Sequence, residues 1–240
     1  MNTEEDENQT NPAEEERIEP IPVNPGLVAT FETLLKKPVL LIESMMGSSG
    51  SGKIVRNLIV TSIVCLAVFG FVVGTYSMGT QLWAAPLKIT LGMLIAGIIC
   101  LPSLYIFSCL NGLDIKISAA AGVMFACICM ISMLLLGFTP VIWIFSQSIS
   151  SISFMGTLAL VFWAIAAYFG LGLLSKTAEH LGVKNRSHLT VWMGIFVLVV
   201  LQMTTSLRPI IGTSDTLLTN EKKFFIHHWI EQLEGRSTRD

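Results

Sequence analysis

The chain offers one motif with a recognisable chemistry. Gly47-Ser48-Ser49-Gly50-Ser51-Gly52-Lys53 fits GxxxxGK, the loop whose amides cradle phosphates, up to its last position. There Ile54 stands where a Ser or Thr hydroxyl would hold magnesium, and an apolar run follows at once in place of an α/β domain. The glycine and serine content is that of a flexible linker, and the segment reads as one. Cys127 and Cys129 are two apart, so a helix points them to different faces, and no His or acidic residue is near them in sequence to complete a metal site. With Cys65, Cys100 and Cys109 they fall in or beside apolar runs and read as small packing residues. His227 and His228 are adjacent and diverge on a helix, while His180 and His188 lie outside the apolar runs. No Ser–His pair, paired carboxylates or HExxH stands out, so neither a cofactor, a metal nor an enzymatic role is expected.

The elements that would position any chemistry are five apolar runs, at about Asn57–Ser77, Leu87–Leu110, Ile117–Phe138, Ile152–Leu174 and Leu189–Leu207. A helix rising about 1.5 Å per residue needs about 20 residues to cross the apolar core of a bilayer, and each run is close to that length. Only 13% of residues are charged against about 25% in soluble domains, and mean hydropathy is +0.66. In lipid the backbone must satisfy its own hydrogen bonds, which predicts helices. The fold expected is all-α: a multi-pass transmembrane bundle over 56–208, with the bilayer as its main partner. The runs contain Thr61, Ser62, Ser103, Ser108, Ser132 and Gln202 but no Asp, Glu or His. Pumps, ion-coupled carriers and intramembrane enzymes usually need ionisable groups at depth, so those classes recede.

Outside the runs, residues 1–26 carry Glu4, Glu5, Asp6, Glu7, Glu14, Glu15, Glu16 and Glu19 with four prolines, which predicts a disordered acidic tail. It lacks the basic start and apolar core of a secretory leader. The tail is either simply solvated or a tether for a basic cytosolic protein. Residues 27–55 form a short amphipathic block and the linker. Phe31, Leu34 and Leu35 share helical spacing, Pro38 breaks the block, and a pair of short helices under the headgroups is expected. Residues 209–240 end in a short helix with Phe224, Phe225, Ile226, Trp229, Ile230 and Leu233 on one side. Nothing points to nucleic acid.

Helix packing is marked by Gly70 and Gly74, a GxxxG step, and by Ala166 and Gly170, a small-xxx-small step serving either the bundle or a dimer face. Pro102 should kink run two and free a carbonyl that Ser103 or Ser108 would satisfy. Gln202 is expected to hydrogen-bond across helices. Trp83, Trp143 and Trp192 sit near run ends, as indoles prefer, whereas Trp163 falls mid-run and should pack between helices. Thr139–Ser151 is apolar enough to dip into a leaflet and too short to cross. Lys88 and Arg208 either face a common anionic partner, a lipid phosphate or Asp215, or snorkel to headgroups as ordinary basic ends. Lys53, Arg56, Lys116, Lys176, Lys184 and Arg186 gather on one side, which predicts a cytoplasmic N-terminus and, with five crossings, an extracytoplasmic C-terminus.

The polar tail, the short helices, QLWAAPLK before run two, LPSLYIF inside it and QMTTSLRPIIG at the end of run five resemble the Yip-type five-helix membrane proteins. They resemble still more closely uncharacterised bacterial inner-membrane proteins of similar layout. The likeness spans 27–225 and carries no catalytic residue to any position. Yip proteins act in vesicle traffic with small GTPases through a cytoplasmic N-terminal region. An inner-membrane adaptor or assembly subunit is therefore expected, the alternative being a small channel or carrier for neutral or lipidic solutes.

Overall fold

Apolar segments of this length hold their amides within the chain, and the computed structural model shows that outcome. It describes residues 26–47, 51–77, 81–113, 115–149, 151–183 and 186–206, and every regular element among them is an α-helix. In chain order these are α1 Leu27–Lys36, α2 Pro38–Gly47, α3 Ser51–Ser77, α4 Gln81–Leu110, α5 Ile117–Ser148, α6 Ile152–His180 and α7 Arg186–Ser206. Four of them, α3 to α6, are long and apolar enough to cross a membrane, and α7 contributes a shorter apolar stretch, Ser187–Met203.

α5 is the centre. In its most apolar stretch 78% of residues are buried, against 28% in α4 and in α6. It packs mainly against α3 and α6, while α7 packs on α4 and scarcely touches α6. α3 and α4 are antiparallel, with Gly70 against Ala85 and Pro86, and α4 and α5 are antiparallel, with Gly97 against Ile128. The broadest contact, α3 on α5, therefore joins two helices that run the same way. Between them Cys65 meets Ser132 and Cys129 meets Ser62, a small polar cluster inside an otherwise apolar core.

Two turns share one design. Gly112 (φ 82°) ends α4 and Gly182 (φ 78°) ends α6, both in the left-handed region that an L side chain strains to adopt. After each, the next amide reaches back five residues: Leu113 N–H to Ser108 O at 3.2 Å and Val183 N–H to Ala178 O at 3.0 Å. These closures satisfy carbonyls that the helix ends would otherwise leave bare.

Several expectations need correction. The linker ends early, because Ser51, Gly52 and Lys53 already belong to α3 and Ile54 is buried against the core. Thr139–Ser148 does not dip separately. It continues α5 through Pro140, so α5 is 32 residues, about 48 Å long. The block α1–α2 is two helices separated at Lys37, whose non-helical φ of −137° precedes Pro38, as that proline requires. It is not simply laid under headgroups, however. Leu34, Leu41, Ile42 and Met45 are buried in the bundle core, and Met45 sits against Gly122 of α5. The acidic tail before Gly26 and the helix expected near 224–233 lie outside the described residues.

Candidate functional site

The helix connections bring the C-termini of α4 and α6 and the N-termini of α3, α5 and α7 to one end of the bundle, and the α1–α2 hairpin docks there. This end collects exposed Lys36, Lys53, Arg56, Lys116 and Lys176. The hairpin is fixed by its buried leucines and by two polar ties. Asn57 Nδ2 of α3 donates to Thr30 Oγ1 at 3.3 Å, and Thr30 is buried. Glu43 Oε1 of α2 pairs with His180 Nε2 at the C-terminus of α6. Both partners of that pair are about half exposed, so its contribution is small and salt-sensitive. On α1, Lys36 Nζ donates to Glu32 Oε1 at 2.6 Å; this holds the carboxyl below its ordinary range and the ammonium above its own.

An apolar depression lies between α4, α5, α6 and α7, lined by Leu104, Asn111, Val123, Leu174, Thr177 and Leu189. Asn111 Nδ2 donates to Phe107 O at 2.9 Å, and its Oδ1 is buried without a partner among the described residues.

The helix-packing residues fall where close approach is needed. Gly70 leaves room for the backbone of Pro86: a Cβ there would stand 2.5 Å from Pro86 Cα. Gly74, one turn on, is buried. Ala166 is buried too, and a Cβ on Gly170 would stand 2.3 Å from Ile131 Cγ1 of α5. The Cys127 thiol donates to Gly170 O at 3.2 Å. The α6 step therefore packs against α5 inside the bundle. Gln202 is half-buried on α7 and takes part in a polar interaction.

Pro102 lies within α4 and faces outward, but the serines do not serve its freed carbonyl. Ser103 Oγ donates to Cys100 O at 2.7 Å and Ser108 Oγ to Leu104 O at 2.8 Å. Ser103 has a different role. Its hydroxyl accepts from Trp192 Nε1 at 2.9 Å, tying α7 to α4. Trp192 is fully buried and stacks on Phe196, so it is a core anchor and not the interfacial indole expected from its place near a run end. Trp83 and Trp143 are exposed, and Trp163 packs against the core. Four of the cysteines are buried and Cys109 is exposed.

Lys88 is the most enclosed charged side chain among the described residues. It lies inside α4, and 5% of its surface is exposed. Its proposed companions Arg208 and Asp215 fall outside the described residues. The burial could not be read from sequence, because it depends on which helices stand against α4. Glu43 and Thr30 were likewise missed, since each acquires meaning only from a helix distant in sequence. No protein-family model, curated protein or solved structure matches the chain, so the Yip-type resemblance rests on its sequence motifs alone.

Proposed function

We propose that the protein is a non-catalytic, multi-pass membrane protein of a cell inner membrane that serves as an adaptor or assembly subunit. The observation that carries this is the division of apolar surface. α5 is sheathed by its neighbours, while α4 and α6 turn Ile98, Ile99, Ile106, Val161 and Phe169 outward, a solution that suits lipid and would aggregate in water. In this reading α7 makes a fifth crossing. The basic end is cytoplasmic, following the bias of Lys and Arg, and the C-terminus is extracytoplasmic. The docked α1–α2 hairpin is then a cytoplasmic cap that presents the tail to protein partners. Cross-linking in intact membranes, followed by identification of copurified proteins, tests the adaptor role. Reproducible recovery of one membrane or cytosolic protein supports it, and solute flux by the purified protein in vesicles overturns it.

A small channel or carrier is the second reading, and Lys88 favours it. A basic residue buried along a spanning helix is costly and commonly marks a substrate or ion path. Loss of that flux in Lys88→Met would assign it to this site.

A further inference from the structure

Two hydrogen bonds at Thr30 fix where the chain before Gly26 must leave the bundle. Thr30 Oγ1 donates to Gly26 O at 3.0 Å and accepts from Asn57 Nδ2 of α3 at 3.3 Å. The exit therefore stands against the first turns of α3. Lys53, Arg56 and Asn57 are spaced i, i+3, i+4, which puts them on one side of that helix, and both cations are exposed. With Lys36, Lys37, Lys116 and Lys176 they make up the basic end of the bundle. Among the described residues of this end, the opposing carboxylates are Glu32, Glu43 and Glu179. Glu32 already pairs with Lys36, and Glu43 with His180. The helices that begin here add no carboxylate. None of α3, α5 and α7 has an acidic residue in its first turn, where the positive end of the helix dipole favours one.

What this end lacks, the preceding segment has. Residues 1–25 carry eight acidic residues against one basic residue, Arg17. A chain advances at most about 3.6 Å per residue, so Glu19 stays within about 25 Å of Gly26 and Glu14 within about 43 Å. These carboxylates cannot leave the neighbourhood of Lys53 and Arg56, and a tether of this length holds them at an effective concentration in the millimolar range. Opposite charge and a short tether together favour this segment over any partner that must arrive from solution. Phosphates of an adjoining leaflet compete for the same cations without the tether.

We propose that the acidic segment 1–25 docks on the basic end of its own chain, with Lys53 and Arg56 of α3 as its nearest contacts, and that a more basic partner releases it. The inference rests on the adaptor reading for its purpose, since the internal contact is what a partner must displace to take the tail. The test uses the full chain in phosphatidylcholine vesicles. A carbodiimide, which joins a carboxylate to an amine in contact with it by loss of water, should link Glu14, Glu15, Glu16 or Glu19 to Lys53. Mixed isotope-labelled and unlabelled chains should give no mixed links, which makes the contact internal. About 0.5 M salt, which shortens the screening length to about 4 Å, should abolish the links. Acetylated oligoarginine, standing in for a basic partner, should abolish them too. Trypsin should release residues 1–17 about twofold to thirtyfold faster when Lys53→Gln is combined with Arg56→Gln, the range for losing two exposed charge contacts. Both substitutions are on the surface, so unfolding in detergent should not change. Links confined to Lys36, links between labelled and unlabelled chains, links that survive the salt, or equal cleavage rates would each overturn the proposal. A partner that still copurifies after such a result would spare the adaptor role, so the two failures are told apart.

Discussion

Gly70→Ala tests the packing logic at its tightest point. The new methyl would stand 2.5 Å from Pro86 Cα, 3.0 Å from Pro86 N and 3.3 Å from Ala85 O. Ordinary contact begins at 3.4 Å, so α3 and α4 must part by about 0.9 Å or more. All three obstacles are backbone atoms of a proline-containing turn of helix, and none can swing aside. Overpacking of this kind costs about 1–3 kcal/mol. Opposing it is the gain in helix propensity from glycine to alanine, about 1 kcal/mol. Gly137→Ala isolates that gain, because a Cβ at 137 meets nothing within 4 Å. The difference between the two variants removes the propensity term and leaves the clash. Reversible unfolding in mixed micelles should place Gly70→Ala about 1–3 kcal/mol below Gly137→Ala. Equal stability, within about 0.5 kcal/mol, would mean that α3 and α4 are not in backbone contact at Gly70, and the reasoning would fail.

Four further expectations follow from the same geometry. Trp192→Phe should lose about 0.5–1.5 kcal/mol with the bond to Ser103, and Trp192→Ala about 3–5 kcal/mol, both read from unfolding in detergent. Leu41→Ala, which empties a fully buried site between the hairpin and the bundle, should cost about 2–5 kcal/mol in the same unfolding measurement. A polar maleimide should label Cys109 within minutes and the four buried thiols only after denaturation. The Glu32–Lys36 pair should be formed from the acidic side of the ordinary Glu range up to and beyond the ordinary Lys range. Its carboxyl is held down, so the contribution disappears as pH falls through that lowered value. Its ammonium is held up, so the contribution disappears as pH rises through that raised value. Both groups are exposed, so the pair contributes little, and Lys36→Gln should move the Glu32 titration upward by NMR with only a slight change in thermal stability.

Hydropathy located the long helices well and their neighbours poorly. α3 and α5 are similarly apolar in sequence, yet α5 is enclosed and α3 is half open, because a leucine or isoleucine suits lipid and protein equally. The glycines were more informative, since closeness at Gly70 and Gly170 follows from the missing side chain. What they approach did not. Phe31, Leu34 and Leu35 share an apolar pattern, but only Leu34 turns into the core while the other two remain exposed. That choice is made by α3 and α5, not within α1. The surroundings of Trp192 and Lys88 were hidden for a related reason: their position along a run was legible, and the helix standing opposite was not.

The same-direction pairing of α3 with α5 has a consequence for biosynthesis. A ribosome releases α3, then α4, and only later the partner that covers the broadest face of α3. Until Ser148 has emerged, α3 must wait in lipid or against a chaperone, holding its Ser62 and Cys65 without their later neighbours. A nascent chain halted after α4 would therefore be a substrate for membrane quality control, whereas one halted after α6 would already possess its centre.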